Sequence, residues 1–249
     1  MRTYITLLQT NDYLDGVLLL NKSLSLVNSR YPLTVVLGDK IEQKSREILK
    51  KNHIAYMEIE NYYYPKDYEK AFSIRGMKYW YNTSNKIKLF GLTEFEKCVY
   101  LDCDMIVVKN IDHLFEKDNF TAAEDSPMLS HDETKKEHYN LNSGLLVYTP
   151  SKKIETELLK LSQEYSLPDQ DLIRLYLKDW VEKDYLHLPV YYNYFSAFEK
   201  EYIKEGYYPQ DVYVFHYIGK VKNFLDNEFL CRPAQSYSEQ FLKEIISRL

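Results

Sequence analysis

Residues 98–108 are Cys98-Val99-Tyr100-Leu101-Asp102-Cys103-Asp104-Met105-Ile106-Val107-Val108, an apolar run that two carboxylates interrupt one residue apart. An ionised carboxylate that is buried without a partner costs several kcal/mol. A divalent cation compensates two such carboxylates at once, because hard cations bind carboxylate oxygens and bridge them to the phosphates of a substrate. Asp-x-Asp alone is a weak signal, since any strand that leaves the core into a turn can show it. The rest of the chain decides between a metal site and an ordinary turn.

Composition and charge exclude several classes of protein. The chain has 249 residues, 45% of them hydrophobic, which is enough for the core of one large domain. Its 25 tyrosines fit either amphipathic surfaces around a groove or ordinary strand positions. A net charge of −5 argues against general affinity for nucleic acid or for anionic membranes. We therefore expect no nucleic-acid partner.

The cysteines and the N-terminus favour the cytoplasm. Cys98, Cys103 and Cys231 have no zinc-like spacing, and three cysteines cannot all pair. The apolar run in residues 1–8 is too short for a signal peptide and predicts a strand instead. No stretch approaches the length of a transmembrane helix. We expect a cytoplasmic protein without a membrane span.

The first 110 residues alternate predicted strands and helices. Strands are predicted at 4–9, 33–37, 53–59 and 97–101, and helices at 41–51, at 85–92 and after a cap at Asn11-Asp12. This βαβαβ order predicts a parallel sheet with helices on both faces. Residues 60–82 are aromatic and predicted to be irregular. Asp102-Cys103-Asp104 then lies at the carboxyl end of a strand, where open α/β sheets bind their ligands.

The second half of the chain continues the pattern without a linker, a repeat or a low-complexity tract. Strands are predicted at 120–123, 144–148 and 212–215, and helices around 154–165, at 169–177 and at 241–249. We therefore expect one domain over residues 1–249.

A histidine that follows a late predicted strand is a third candidate metal ligand beside the two carboxylates. His216 follows the predicted strand 212–215, and Gly219 and Lys222 come next. A nitrogen ligand beside carboxylates suits manganese better than an all-oxygen magnesium cage, so Mn²⁺ is favoured, with Mg²⁺ as the alternative. Gly219 would let the backbone approach a phosphate closely, and Lys222 would supply a positive charge. A single histidine after a strand is usually structural. The interpretation as a metal site therefore depends on the combination of His216, Gly219 and Lys222 with the carboxylate pair.

Further short motifs accompany the carboxylate pair in a fixed order. They are Thr10-Asn11-Asp12, Lys86, Lys97-Cys98-Val99-Tyr100-Leu101-Asp102-Cys103-Asp104, Asn110-Ile111-Asp112-His113-Leu114-Phe115, Ala122-Ala123-Glu124-Asp125, Asn142-Ser143-Gly144, Asp169-Gln170, Leu188-Pro189, Tyr192-Asn193 and His216-x-x-Gly219-x-x-Lys222. With these motifs the chain resembles the glycogenin-like retaining glycosyltransferases of family 8, from about residue 4 to residue 224. Each motif is weak alone, but generic α/β patterning does not produce their joint order.

The resemblance implies an α/β protein of the GT-A type, a Rossmann-like mixed sheet flanked by helices with the metal motif at a strand end. Residues 1–110 would supply most of the nucleotide-sugar site. Residues 111–224 would supply the acceptor side and the closing metal motif, and residues 225–249 a C-terminal helical segment. Relatives often form homodimers, so a homodimer stays open.

The resemblance also implies site residues. Asp102, Asp104 and His216 would ligate Mn²⁺, which bridges the diphosphate of a UDP-sugar. Asp169, Gln170 and Lys86 would be the catalytic residues around the donor sugar. The residues implied to contact the UDP-sugar are Leu8, Thr10, Asn11 and Tyr13 at the uridine, and Lys86, Asp102, Cys103, Asp125, Asn142, Ser143, Gly219 and Lys222 at the diphosphate or the sugar. Arg75 is a further candidate contact if residues 60–82 form a lid over the donor.

Some of these features have ordinary structural explanations. Asn11-Asp12 is also a suitable helix cap, Asn142-Ser143-Gly144 is also a turn sequence, and Asp169 is also a favourable charge at a helix N-terminus.

The implied reaction is transfer of a hexose, with glucose or galactose favoured, from a UDP-sugar to an acceptor with retention of anomeric configuration. Three departures from the family pattern concern the acceptor side and the loop that shapes the donor pocket. Asn223-Phe224 stands where Pro-Trp is usual, and Ser166-Leu167-Pro168 replaces a glycine-rich lead into Asp169-Gln170. Neither Tyr194 nor Tyr202 is in register with the tyrosine that self-glucosylating proteins modify. An external acceptor is therefore expected: a glycan, a polyol or a protein side chain.

Three alternatives stay open. One is a UDP-sugar-binding or glycan-binding protein with little catalysis, and another is a self-glucosylating primer of the glycogenin type. The third is a metal-dependent phosphohydrolase or nucleotidyltransferase. Such enzymes generally need more carboxylates or a phosphate-binding glycine loop, whereas this chain has seven glycines and no such loop.

Overall fold

We describe the fold from a computed structural model, over residues 1–74, 83–125, 140–218, 224–231 and 233–249. The strands in these ranges are β1 (Arg2–Leu8), β2 (Leu33–Leu37), β3 (Ala55–Glu58), β4 (Lys97–Leu101), β5 (Met105–Val107), β6 (Ala122–Glu124), β7 (Leu141–Tyr148), β8 (His187–Leu188), β9 (Tyr194–Phe195) and β10 (Val214–His216). The α-helices are α1 (Leu14–Leu26), α2 (Gln43–Lys51), α3 (Lys66–Ile74), α4 (Lys86–Leu89), α5 (Lys152–Glu164), α6 (Asp169–Tyr176), α7 (Glu199–Lys204), α8 (Asn227–Cys231) and α9 (Tyr237–Ile246).

Seven of the described strands form one central sheet in the order β3-β2-β1-β4-β7-β6-β8. Strands β3, β2, β1 and β4 pair in parallel, as the βαβαβ order predicts. Strand β7 pairs antiparallel with both β4 and β6, and β6 pairs in parallel with β8. The expectation of a mixed sheet flanked by helices is therefore confirmed.

The inner strands of the sheet are buried on both faces because they are apolar on both sides. In β1, Tyr4 and Leu8 pack into one cluster with α1, whereas Ile5 and Leu7 pack into a second cluster with α4, α5 and α6. Such a near-continuous apolar run is typical of a strand that helices cover on both faces. In α1, Val17, Leu20 and Leu24 are buried in the first cluster, as their spacing predicts.

A second sheet positions the late histidine. It has the order β5-β10-β9, with β10 antiparallel to β5 and parallel to β9. The register pairs His216 with Met105, which directly follows the Asp102–Asp104 turn. The chain therefore brings His216 to the carboxylate pair through β-pairing between segments that are far apart in sequence.

Several predicted boundaries were wrong. The first helix starts at Leu14, after a 3₁₀ turn over Asn11–Tyr13, and neither Asn11 nor Asp12 caps it. The segment 60–82 contains α3, which begins directly after Pro65. The helix predicted at 85–92 is only one turn, α4. The turn sequence Asn142-Ser143-Gly144 lies inside β7, because the burial of β7 and its pairing with β4 and β6 outweigh local turn preference.

Within the described ranges, no helix is both long enough and apolar enough to cross a membrane.

Candidate active site

Three side chains converge at the carboxyl end of β4. Asp102 follows β4, Asp104 precedes β5, and His216 ends β10. Their ligand atoms all lie within 4.8 Å of one another. His216 Nε2 is 3.2 Å from Asp104 Oδ1 and 3.9 Å from Asp102 Oδ2. Two carboxylates and one imidazole at these separations fit a divalent cation of the manganese type.

A partner on the far side of the ring orients His216. Its Nδ1 lies 2.8 Å from Asn193 Oδ1, and the ring is 5% exposed and packs at an angle against Phe195. When Nδ1–H donates to the amide oxygen, Nε2 faces the two carboxylates. Burial lowers the pKa of His216, but the negative charges of Asp104 and Asp102 outweigh it and the net shift is upward. A cation bound there would replace the proton on Nε2.

Asp102 has protein partners on its other oxygen. Tyr100 donates its hydroxyl to Asp102 Oδ1 at 2.6 Å, and Lys86 Nζ lies 3.3 Å from the same atom. The backbone N–H of Asp102 donates to the carbonyl of Gly144 in β7 at 2.9 Å. Burial, followed by the charge of Asp102, raises the pKa of Tyr100 well above its usual value, so this phenol stays a donor. Asp102 Oδ2 is left facing His216.

Lys86 is a buried cation between two carboxylates. Its ammonium is 3.3 Å from Asp102 Oδ1 and 3.4 Å from Asp169 Oδ2, and it donates to Ser143 Oγ at 3.0 Å. The ammonium also lies 4.4 Å from the centre of the Tyr100 ring. Burial opposes its charge, but Asp102 and Asp169 outweigh burial and raise the pKa of Lys86. Lys86 therefore stays protonated and balances the negative charge of the site.

Asp169 and Gln170 begin α6 and face β7. Thr83 donates to Asp169 Oδ1 at 2.5 Å, while Lys86 holds the other oxygen. Gln170 Oε1 accepts the backbone N–H of Ser143 at 3.0 Å, and its Nε2 donates to Asp125 Oδ2 at 3.2 Å. The predicted donor-side residues of α4, β7 and α6 are thus brought together with the carboxylate pair.

Asn142 and Asp125 complete this side of the site. Asn142 Nδ2 donates to Asp125 Oδ1 at 3.1 Å, and Asn142 Oδ1 accepts the N–H of Gly144 at 2.9 Å. Arg174 Nη2 lies 2.6 Å from Asp125 Oδ2. Asp125 therefore holds a cation and two carboxamides at once.

The residues predicted at the uridine have mixed placements. Leu8 is fully buried at the end of β1, whereas Thr10 and Tyr13 are partly exposed in the turn that follows. Asn11 Oδ1 accepts both the N–H of Glu42 and the hydroxyl of Ser45, so Asn11 ties this turn to the start of α2.

The thiol of Cys103 points away from the carboxylates. It donates to the carbonyl of Leu7 at 3.0 Å and lies 3.3 Å from Thr6 Oγ1. Burial raises the pKa of Cys103 to about 12. The side chain therefore packs in the core, and only its backbone adjoins the metal-type cluster.

Arg75, Gly219 and Lys222 lie outside the described residues, so their predicted contacts with the UDP-sugar stay predictions.

Several residues of the site have a place in the structure that the sequence did not predict. Residues two apart on a strand share a face, and so do residues four apart on a helix. Tyr100 is two residues before Asp102 and Arg174 is four residues after Gln170, so this spacing could have identified both. Asn193 belonged to a recognised motif but received no role. Thr83 carried no signal that could have identified it.

The fold and the cluster together define a mixed α/β protein with a metal-type Asp-x-Asp motif at the carboxyl end of a central strand. The family model described as "Glycosyl transferase family 8" matches residues 4–228. The chain therefore belongs to glycosyltransferase family 8.

Curated relatives agree with this assignment. Galactinol synthase 4 of Arabidopsis thaliana is 31% identical over 219 residues, which cover 77% of this chain and 64% of that protein. Inositol phosphorylceramide glucuronosyltransferase 1 of the same plant is 30% identical over 180 residues, covering 71% and 30%. Glycogenin-1 of Mus musculus is 32% identical over 145 residues, covering 56% and 41%. The chain thus spans between 30% and 64% of the length of these relatives.

Solved structures share the fold. The galactosyltransferase LgtC, in complex with donor and acceptor sugar analogues, superposes with a TM-score of 0.66 at 16% identity, covering 100% of this chain and 96% of that one. The glycosyltransferase GlyE of Streptococcus pneumoniae TIGR4 gives 0.61 at 16% identity, covering 98% and 60%. The expected GT-A fold is confirmed.

Proposed function

We propose that this chain transfers a hexose from a UDP-sugar to an external acceptor, with Mn²⁺ and with retention of anomeric configuration. The observation that carries the proposal is the convergence of Asp102, Asp104 and His216 within 4.8 Å, with Lys86 directly between Asp102 and Asp169. Residues 1–110 would bind most of the nucleotide-sugar, and residues 111–224 would supply the acceptor side.

Asp102, Asp104 and His216 are the residues that would hold the metal. When bound, the metal acts as a Lewis acid for the diphosphate and counters the charge that develops as this group leaves. Lys222, which follows the described strand β10, is proposed to counter the same charge. This stabilisation is larger in the transition state than in the ground state, so it accelerates transfer.

Lys86 and Asp169 would act at the sugar. Both oxygens of Asp169 already have partners, Thr83 on one and Lys86 on the other. A carboxylate engaged in this way is a weak nucleophile, but its negative charge still stabilises an oxocarbenium-like carbon nearby. We therefore assign Asp169 to electrostatic stabilisation and Lys86 to holding Asp169 and Asp102 in place.

Retention would follow from attack on one face of the sugar. A retaining glycosidase needs two carboxylates about 5 Å apart, one of them a nucleophile. Asp125, another carboxylate of this site, is paired with Arg174 and bound by two carboxamides, which makes it a poor base. The acceptor oxygen would bond to C1 on the side from which the diphosphate leaves, while the C1–O bond to the diphosphate breaks. The acceptor proton passes to the departing phosphate oxygen, and the products are UDP and the glycoside.

An external acceptor is supported by the burial of the nearby tyrosines. Tyr194 is 0% exposed and Tyr202 1% exposed. Tyr194 donates its hydroxyl to the backbone carbonyl of Tyr207 at 3.3 Å. Neither phenol can reach a donor sugar without unpacking this region, which argues against self-glucosylation at these positions. A glycan, a polyol or a protein side chain is the proposed acceptor.

The donor hexose is proposed to be glucose or galactose. Two of the matched proteins carry galactose-related names, a galactinol synthase and a galactosyltransferase, which supports galactose.

UDP release tests the proposal. The purified chain is incubated with UDP-glucose, UDP-galactose, UDP-GlcNAc and UDP-glucuronate in the presence of Mn²⁺. We expect release of UDP from one hexose donor, and its loss with EDTA or in Asp104→Ala. Asp184→Ala, which removes an exposed acidic side chain, is the matched control and should behave as wild type.

Two outcomes would contradict the proposal. UDP binding without turnover of any donor, even with pooled glycans as acceptors, favours the binding-only alternative. Release of phosphate or pyrophosphate from UTP at a comparable rate favours the phosphohydrolase or nucleotidyltransferase alternative. NMR of the isolated product tests retention, since an inverted anomeric configuration excludes attack on the leaving-group face.

A further inference from the structure

Arg174 lies behind the donor side of the site, in the last turn of α6. Its guanidinium makes three contacts: Nη2 is 2.6 Å from Asp125 Oδ2, Nε donates to the backbone carbonyl of Leu141 at 2.9 Å, and Nη1 is 3.5 Å from Asp171 Oδ1 on the same helix. The side chain is 20% exposed and that of Asp125 is 15% exposed. Arg174 thus joins α6 to the first residue of β7 and to the end of β6 at once.

Asp125 in turn accepts hydrogen bonds from two carboxamides. Its Oδ2 accepts Gln170 Nε2 at 3.2 Å, and its Oδ1 accepts Asn142 Nδ2 at 3.1 Å. The opposite ends of both amides accept backbone N–H groups, Ser143 N for Gln170 and Gly144 N for Asn142. A carboxylate only accepts and a backbone N–H only donates, so the orientation of each amide is unambiguous. Each amide nitrogen keeps a second N–H that these bonds do not use.

The charge of Arg174 keeps this arrangement intact. Without it, Asp125 would lose the cation that lies 2.6 Å from its Oδ2, and removing one partner of a mostly buried ion pair is strongly destabilising. Asp125 would then draw water or a different donor, and the two carboxamides would lose their common anchor. A lysine cannot replace the arginine, because one ammonium does not reproduce a planar fork that reaches both Leu141 and Asp125.

We propose that Arg174 is a positioning residue for the donor sugar: through Asp125 it orients the carboxamides of Gln170 and Asn142 beside the sugar subsite. The inference rests on the proposed function, since it assumes a UDP-sugar in this site. Its distinctive consequence is selectivity for the sugar part of the donor. His216 of the metal cluster is held by other contacts, Asn193 and the β5–β10 pairing, so we expect metal binding to persist without Arg174.

The test compares ligands that differ only in the sugar. Arg174→Met and Arg174→Lys are compared with wild type for the Kd of Mn²⁺, of UDP with Mn²⁺, and of the hydrolysable UDP-hexose, together with its kcat and KM. We expect unchanged Kd values for Mn²⁺ and UDP in both variants. For the UDP-hexose we expect kcat/KM to fall about 10- to 100-fold in Arg174→Met, the size expected of a misplaced orienting group, and by less in Arg174→Lys. Lys160→Met, which removes an exposed ion pair with Glu164 on α5, is the matched control.

Two patterns overturn the inference. One is equal weakening of UDP and UDP-hexose binding, which indicates a merely structural role. The other is an unchanged kcat/KM in Arg174→Met. If Arg174→Met does not fold, the comparison is made on Arg174→Lys alone, where full wild-type kcat/KM overturns the inference. Failure of the proposed function is recognised separately, because wild type itself would then turn over no UDP-hexose.

Discussion

The Nδ1 atom of His216 lies 2.8 Å from Oδ1 of Asn193, on the opposite side of the ring from the carboxylates. This contact sets the tautomer in which Nε2 carries the lone pair for a metal. Partners of this kind typically contribute a factor of about 10 to 100 to metal affinity. We therefore predict that Asn193→Leu, which keeps the branched shape and removes the acceptor, weakens Mn²⁺ binding by about 10- to 100-fold, as measured by isothermal titration calorimetry.

Asn52→Leu is a suitable control, because Asn52 is exposed at the end of α2. It should leave the Mn²⁺ affinity unchanged. Unchanged affinity in a folded Asn193→Leu variant would show that packing against Phe195 alone orients His216.

Lys86 balances the charges of Asp102 and Asp169, so its removal should destabilise the protein in the absence of metal. Breaking a fully buried ion pair costs about 3–5 kcal/mol. Because Asp102 is 31% exposed, we expect the loss of unfolding free energy in Lys86→Met to be below that range. Mn²⁺ should then raise the Tm of Lys86→Met more than that of wild type, since the cation compensates a carboxylate that has lost its partner.

Thermal unfolding with and without Mn²⁺ measures both effects. Lys153→Met, which removes an exposed charge on α5, should unfold as wild type does. An equal Mn²⁺-induced shift in wild type and in Lys86→Met would mean that the Lys86 charge does not act on the metal site.

Gly144 is required by close packing behind the metal cluster. A Cβ atom there would lie 2.9 Å from Cε1 of His216, 2.8 Å from Oδ1 of Asn142 and 2.8 Å from Cε of Met105. Methionine can move aside, but His216 and Asn142 are held by hydrogen bonds. We predict that Gly144→Ala displaces the imidazole, weakens Mn²⁺ binding about tenfold and costs about 1–3 kcal/mol of stability, as overpacking does.

Gly91→Ala provides the matched comparison, because its Cβ would crowd the carboxylate of Glu155, away from the metal cluster. Denaturant unfolding and Mn²⁺ titration are measured on both variants. Destabilisation of both with loss of Mn²⁺ affinity only in Gly144→Ala is the expected result. Normal Mn²⁺ affinity in Gly144→Ala would mean that Met105 alone absorbs the added methyl group.

The fold could be predicted where hydrophobic periodicity is long. The parallel strands β1, β2 and β4 and the helix α1 are continuous apolar patterns, and their order leaves few arrangements of the sheet. The strands β5, β8 and β9 are two or three residues long, too short for a periodic signal. The helix α3 was missed because it follows a run of tyrosines that shows no helical period, so the whole segment was interpreted as irregular. Pro65 was the available signal, since proline is common at a helix start.

The site could be predicted only in part. Asp102, Asp104 and His216 were identified as candidate ligands because each follows or interrupts an apolar strand, where a charged group needs a compensating partner. Arg174 was not, since an arginine near a helix C-terminus is ordinarily a solvated charge. Its role depends on Asp125, which only tertiary packing brings to it. Residues that act through other residues leave little trace in a single sequence.

The motif residue Asp112 is structural, and its role predicts a pH dependence. Its carboxylate accepts hydrogen bonds from the hydroxyls of Tyr4 and Ser29, the backbone N–H of Arg30 and the amide of Asn110, at 2.8 to 3.3 Å. Burial alone would raise the pKa of Asp112, but these donors outweigh it and lower the pKa below the ordinary 3.8.

A carboxylate whose pKa is lower in the folded state contributes its full stabilisation above the unfolded pKa and loses it as the pH falls through the folded pKa. Hydrogen bonds to a charged group contribute about 1.5–3 kcal/mol. Asp112→Asn should therefore be less stable than wild type by about that amount at pH 7, and the difference should shrink below about pH 3.8. Urea unfolding between about pH 7 and pH 3 measures it, with the exposed Asp118→Asn as the control. A stability difference that stays constant over this range would mean that the Asp112 contacts contribute through packing and not through charge.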